Sequence, residues 1–311
     1  MTDHSIGVDI SKSHLDVFRL EDGAARRFDN AAAGFRALTK WLGKAPVARI
    51  VFEPTGPYHR AFEAALVEAF PLVKVNPLQA RRFAEAYGRR AKTDAVDAQM
   101  LARMGAAFDL APQASHSRET RILRDLHVAR TGLIKDRTRL RNRAQTQDIA
   151  VLKRQSKARL AQIERQIAEL DAEIAMLIEA QQSTARSRDI LCSMPGIGTV
   201  TAAAVLTLLP EIGTLDRKQV ASLTGLAPIT RQSGQWQGKA FIGGGRKPLR
   251  DALYMPALVA MRFNPDLKAK YESLRAAGKP AKVAIVAVMR KLIEMANALV
   301  KADRTWMPKT A

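Results

Sequence analysis

SIGVDIS, residues 5–11, reads as a short apolar strand that carries an acid, Asp9, at its end. Leu15 to Leu20 follows closely enough to form a hairpin with it. Ala48 to Phe52, within RIVFEPTG, is a buried-type strand and runs directly into Glu53. Pro71 to Val75 is a further strand. Phe35–Leu42, Tyr58–Ala69, Gln79–Ala86 and Asp94–Met104 carry helical patterns. Strands alternating with helices over the first ~110 residues predict a mixed sheet with helices packed on it.

Apolar strands that end in an acid are unusual, because a half-buried charge is costly without a partner. Asp94 and Asp97, in KTDAVDA, stand three apart on an expected helix and therefore share one face. Like charges so placed repel, and a cation removes the penalty. Hard divalent cations such as Mg2+ or Mn2+ take oxygen ligands. Two of them about 4 Å apart can activate a nucleophile and stabilise a leaving oxygen in phosphoryl transfer. Each acid also has a purely structural explanation. Asp94 and Asp97 suit a helix N-cap and first turn, Asp9 a strand-end turn, and Glu53 before Pro54 a turn cap. The joint pattern resembles the layout of a ribonuclease-H-like or RuvC-like nuclease core.

The charge balance points to a polyanion. The chain of 311 residues holds 50 Lys/Arg against 30 Asp/Glu, a formal net charge of +20, with a pI near 10.5. Neutralised phosphates release counterions, so nucleic acid is the natural partner; a merely solvated basic surface is the bland alternative. No run of 18 apolar residues is present, so no membrane span is expected. The N-terminal residues MTDHSIGVDIS do not resemble a secretory leader. A single cysteine, Cys192, excludes an intrachain disulfide and suits a reducing cytoplasm. It reads as a small buried apolar residue.

The character changes near Pro112. Leu160, Ile163, Ile167, Leu170, Ile174 and Leu177 alternate spacings of three and four, a heptad seam. Ile122, Leu126, Ala129, Leu133 and Leu140 suggest a second seam on a partner helix. Either a long helical hairpin or a dimerising helix pair satisfies this pattern. From Ser187 the chain is expected to be mostly helical, ending in a helix from Lys279 to Val300.

Pro195, Gly196, Ile197 and Gly198 precede a small-residue helix, like the hairpin of a helix-hairpin-helix DNA-binding module. Amides at such a helix start can hold a phosphate, although a plain helix-start turn has the same sequence. Further on, RQSGQWQGKAFIGGGRKPLR places Ser233 in a polar loop, Gly243 and Gly244 where a backbone can approach phosphates, and Arg246 and Arg250 on one helical face. By chemistry alone Ser233 is a turn serine, since no histidine lies near it to take its proton. Lys12 and Lys92, which flank the acids, are either phosphate contacts or solvated lysines, His59 reads as a satisfied surface or core side chain, and Phe241 and Tyr254 read as core. Trp236 either stacks on a base or plugs a pocket.

The blocks GVDISK, FEPTGPYH and KTDAVDA, followed by MPGIG, LAP, SG and GGGRKPLRDALY, resemble in content and order the IS110 family of insertion-sequence transposases. The resemblance runs over nearly the whole chain. It implies a RuvC-like domain over 1–112, a basic helical, coiled-coil region over 113–185, and a C-terminal transposase domain over 186–311. It implies that Asp9, Glu53, Asp94 and Asp97 are a DEDD metal set and that Ser233 is the nucleophile of a serine–phosphate intermediate. It further implies Mg2+ or Mn2+, donor and target DNA, a structured guide RNA encoded by the element, and a dimer or tetramer. In that assembly the acids of one subunit face the serine of another, at the nucleoid of a bacterial cytoplasm. Pro57 stands where the family commonly has a second glycine. A metal-dependent nuclease using water, and a non-catalytic nucleic-acid-binding protein, are the competing readings of the residues alone.

Overall fold

The computed structural model describes residues 4–54, 56–88, 94–112 and 117–308; the side chains of 94 and 95 lie outside the described residues, as does Lys92. The chain divides into two compact units, 1–115 and 116–311.

The first unit holds β1 (His4–Ile10), β2 (His14–Arg19), β3 (Ala25–Asp29), α1 (Ala32–Leu42), β4 (Val47–Phe52), α2 (His59–Leu66), β5 (Leu72–Lys74), α3 (Pro77–Ala86) and α4 (Asp94–Ala107). The five strands form one sheet in the order β3-β2-β1-β4-β5. β1, β2 and β3 pair antiparallel, while β4 and β5 run parallel to β1. The strand β3 is an addition to the sequence expectation. In ARRFD only Phe28 is buried, so this edge strand has no apolar pattern to announce it.

Alternation along the strands fixes two packed faces. Ile6, Val8, Ile10, Ile50 and Phe52 pack with Phe35, Leu38, Phe62 and Leu66 of α1 and α2. Val51 and Val73 pack with Leu101 and Met104 of α4 on the other face. There α4 lies unusually close to β1. A Cβ on Gly7 would come within 1.9 Å of the Ala98 carbonyl oxygen and 2.5 Å of the Ala102 nitrogen. The buried Ser5 hydroxyl donates to the Ala102 carbonyl at 2.9 Å. Ala98, Ala102 and Gly105 form the small-residue stripe of α4 that permits this approach.

The second unit opens with α5 (Arg118–Ala144) and α6 (Ala150–Glu179). They form an antiparallel hairpin within one chain. Arg130 pairs with Asp171, and Arg141 reaches Glu164 at 2.6 Å. The expected α6 stripe is the packed one, with Ile167 and Ile174 buried. On α5 the expected seam holds in part: Leu140 is buried and Leu126 packs on the cluster of Leu123, Ile174 and Ile178, whereas Ile122 is 39% exposed and the buried positions beside it are Leu123 and His127. His127 and Arg130 occupy seam positions and mask the apolar repeat. Burial holds the His127 imidazole below its ordinary pKa, in the neutral form.

Leu123, Ile174 and Ile178 anchor one end of the hairpin with Ala203 and Leu206. There follow α7 (Gln182–Cys192), α8 (Thr199–Leu208), α9 (Arg217–Leu223), four two-residue strands β6 (Pro228–Ile229), β7 (Gln232–Ser233), β8 (Trp236–Gln237) and β9 (Phe241–Ile242), then α10 (Lys247–Ala252), α11 (Tyr254–Phe263), α12 (Pro265–Ala276) and α13 (Ala281–Lys301). α13 is central to the core through Val288, Leu292, Ile293 and Ala296. It also carries Glu294, a buried acid held by Arg217 at 2.6 Å and Arg290 at 2.7 Å. Among the described residues no helix is long and apolar enough to cross a membrane.

Gly7→Ala puts a methyl into helix backbone, whereas Gly105→Ala meets the Val51 Cγ2 methyl at 2.5 Å, which can rotate. Gly7→Ala is therefore expected to destabilise the first unit by about 1–3 kcal/mol and Gly105→Ala by less. Denaturation followed through Trp41, which packs on Phe28, measures both; equal midpoints would contradict the packing described.

Candidate functional site

The register of β1 on β4 pairs Val8 with Phe52. Asp9 and Glu53 are the next residues on these two neighbouring parallel strands, and both are half-buried. Period-two alternation puts Asp9 on the face of Gly7 and Glu53 on the face of Val51. Both faces are the one covered by α4.

The direction of α4 then matters. Ala98 lies over Gly7, while Ala102 and Gly105 lie back over Ser5. The helix thus runs antiparallel to β1, and its first turn lies toward the C-terminal ends of β1 and β4. Asp97 immediately precedes Ala98, and Asp94 is the first residue of the helix. Three of the four predicted acids, and the backbone of the fourth, are therefore brought to one end of the sheet.

The donors are all carboxylate oxygens, which is the chemistry a hard divalent cation requires. Among the described residues no three His, Cys, Asp or Glu side chains are assembled as a metal shell, and the Asp94 side chain lies outside them. Asp9, Glu53 and Asp97 each interact with neighbouring groups. Asp16, which pairs with Asp9 across β1 and β2, is taken up by Arg27, with two bonds of 3.0 Å.

Asn30 is a positioning residue that sequence reasoning missed. Its side-chain amide donates to the Ser11 carbonyl at 2.8 Å and to the Tyr58 carbonyl at 3.1 Å. It thereby ties the segment after Asp9 to the segment after Glu53. No sequence signal marks it, because its partners are backbone atoms distant along the chain. His59 closes the same turn. Its ring lies 6.1 Å from Phe52, and its Nε2 is 3.7 Å from Glu63, which Lys74 holds at 2.8 Å. Burial and the Lys74 charge lower its pKa, so the ring is neutral. Its ring meets the Gly56 backbone, a hydrogen bond that partly offsets this lowering.

Ser233 lies in the second unit, on an exposed hairpin. It pairs with Trp236 across a turn that Gly234 enters with φ +55°. Residues 228–245 contain no Asp, Glu or His, so the hairpin offers the hydroxyl no base of its own. Trp236 is 59% exposed and its ring covers Gly238, where a Cβ would come within 2.5 Å of it. Phe241 and Tyr254, expected in the core, are 42% and 38% exposed. The Arg231 guanidinium stacks over the Phe241 ring at 4.9 Å, so that aromatic face covers a surface cation instead of filling the interior.

The root of this loop is fixed by the two arginines picked out in the sequence. Arg246 donates to the Leu208 carbonyl at 2.9 Å and to both Glu211 oxygens at 2.6 and 2.7 Å. Arg250 donates to the Gly244 carbonyl at 2.8 Å. Gly196, at φ +101°, abuts α11, where a Cβ would meet the Pro256 carbonyl oxygen at 2.5 Å. Gly198 caps α8 and Gly244 turns with φ +65°; both face open space. Gly243 makes ordinary contacts with Ile229 and Phe241. Cys192 is half-buried and its thiol pKa is raised by burial, as befits a packing residue.

Two family models match the chain. The DEDD transposase model of IS110 elements, described as "Transposase", covers residues 6–154. The model described as "Transposase IS116/IS110/IS902 family" covers 188–272. The chain belongs to the IS110 family of transposases. The pilin gene-inverting proteins of Moraxella bovis and Moraxella lacunata are each 30% identical over 96% of both chains. A 43.6 kDa protein of insertion element IS110 from Streptomyces coelicolor is 33% identical over 42% of this chain and 32% of its own length. The transposase is thus an insertion-sequence enzyme. Asp9, Glu53, Asp94 and Asp97 fall within the first match and Ser233 within the second.

Asn30→Ala should slacken the link between the two acid-bearing segments while removing little packing. Misplacement by about 1 Å can lower a rate about 100-fold, so the recombination frequency is expected to fall ten- to hundredfold. Stability should fall by only about 1 kcal/mol. Unchanged frequency would remove Asn30 from the site.

Proposed function

We propose that the transposase cuts and rejoins DNA through a covalent link between Ser233 and a DNA phosphate, using a RuvC-like acid site. The observation that carries this reading is the convergence of Asp9, Glu53 and Asp97 at one end of the sheet, in a family of transposases. In the first step the Ser233 Oγ–P bond forms, a bridging P–O bond of the DNA breaks, and the hydroxyl proton passes to the surroundings as the leaving strand end takes one up. A hydroxyl of another strand then attacks the same phosphorus and releases the serine. The broken end is held throughout.

Asp9, Glu53, Asp94 and Asp97 are proposed to hold Mg2+ or Mn2+. When bound, that cation supplies charge neutralisation at phosphate and a lowered proton affinity at the attacking oxygen. Ser233 has no base within its hairpin, which is why we assign its activation to the acids. The acids and the serine belong to different units, and a homo-oligomer that brings the acids of one subunit to the serine of another supplies such a pairing. Donor and target DNA are the substrates. The Moraxella relatives are named for inverting a pilin gene, and DNA inversion is the reaction we expect to be measurable for this chain. A structured guide RNA is the proposed source of sequence choice. Gly198 and Gly244, whose α-carbons face open space, are the best placed of the sequence-selected glycines to approach a phosphate. Arg246 and Arg250 are proposed to act by holding the loop root, since their donors are engaged there.

The test uses the purified chain with its element DNA. Wild type should leave a protease-resistant adduct on the DNA, mapped by mass spectrometry to Ser233. Ser233→Ala should yield no adduct and no recombinants, and Asp9→Asn should lower both at least 100-fold. Cleavage by Ser233→Ala at the wild-type rate would exclude the serine step and leave a water-using nuclease.

A further inference from the structure

The α5–α6 hairpin is electrically divided along its length. Its distal portion, residues 135–159, carries nine Lys/Arg against two Asp/Glu, a net of +7. The remainder, 118–134 and 160–179, carries five Lys/Arg against seven Asp/Glu, a net of −2. The basic portion is the end remote from the anchor of Leu123 and Ile178 against α8. A helix rises 1.5 Å per residue, so the nine cations sit along about 15 Å of a two-helix rod.

These cations are not used up by the fold. Arg139, Arg141 and Lys153 pair with Asp136, Glu164 and Asp148. Lys135, Arg137, Arg143, Arg154, Lys157 and Arg159 form no ion pair among the described residues. Such a concentration of like charge repels itself unless a polyanion covers it. It also repels a second copy of the same tip, although Ile149, Val151 and Leu152 are exposed there.

We propose that the tip of this hairpin is a clamp for the sugar–phosphate backbone of double-stranded DNA. Three observations select that partner. The charge is complementary to a duplex, which carries one phosphate per about 1.7 Å of axis. Residues 118–179 contain no Phe, Tyr or Trp, so the rod offers no platform on which single-stranded bases could stack. Its length and regularity suit a continuous backbone, with Arg and Lys making contacts that position DNA without reading its sequence. The choice of DNA over other duplexes rests on the reading of the chain as a DNA-acting transposase. The clamp itself uses neither Ser233 nor the acids.

Binding is measured on the full chain in EDTA, with a labelled 30-base-pair DNA duplex of arbitrary sequence, so that failure of the strand-transfer chemistry cannot affect the result. One variant carries Arg143→Gln, Arg154→Gln, Lys157→Gln and Arg159→Gln. A control removes four cations from the other half, Arg118→Gln, Arg121→Gln, Arg124→Gln and Arg165→Gln. Helix content by circular dichroism checks folding of each, and Arg154→Lys with Arg159→Lys should restore binding if charge is what counts. The tip variant should bind about tenfold or more weakly at 150 mM salt, and its log–log salt slope should fall by about 3 to 4. The control should change both far less. Equal losses in the two variants would overturn the clamp, as would wild-type affinity of the tip variant. A changed oligomer mass with unchanged DNA affinity would make the tip a contact between copies and also overturn it. So would a loss confined to single-stranded or double-stranded RNA.

Discussion

The close approach of α4 to β1 is the constraint on which the candidate site depends. Gly7 has no side chain, and Ala98, Ala102 and Gly105 present almost none. The helix therefore rests on the strand backbone, pinned by the Ser5 hydroxyl on the Ala102 carbonyl. A larger residue at position 7 would lift the helix and separate Asp97 from Asp9. In the proposed metal site the acids need that proximity, because a shared cation would offset the repulsion between half-buried carboxylates. Residues without side chains thus place the charged ones.

A comparable division of labour holds in the second unit. Ser233 and Trp236 stand on a hairpin with little burial, whereas the root of that loop is fixed by charge-assisted bonds from Arg246 to Glu211 and from Arg250 to a glycine carbonyl. With about a third of each partner exposed the ion pair contributes about 1 kcal/mol, and it acts together with the bonds to the Leu208 and Gly244 carbonyls. The proposed role of Ser233 as a nucleophile fits that arrangement, since an exposed turn can enter a groove without unfolding its base.

Much of this was legible in the sequence, for physical reasons. Apolar runs that end in acids at Asp9 and Glu53 are unusual enough to be noticed, and the α6 stripe at Ile167 and Ile174 follows directly from its spacing. What escaped detection depends on tertiary partners. β3 exists because β2 offers it an edge, and only Phe28 turns inward. The α5 seam is only partly legible, through Leu126 and Leu140, because His127 and Arg130 also sit in it. Asn30 acts through two backbone carbonyls, and sequence carries no trace of those. Arg246 and Arg250 stood out by charge, yet their protein partners depend on how α8 and α9 meet the glycine loop. Phe241 and Tyr254 read as inward on hydrophobicity alone, which anticipates neither the short exposed strand β9 nor the exposed first turn of α11.

The proposed role of the carboxylates at the end of β1, β4 and α4 is to bind one set of divalent cations. Electron paramagnetic resonance of Mn2+ titrated into the full-length chain tests it without DNA, serine chemistry or oligomer assembly. The expected result is saturable Mn2+ binding by the wild type, loss of that binding in Asp9→Asn and in Asp97→Asn, and retention in Ser233→Ala. Equal Mn2+ binding by wild type and both acid variants would contradict it.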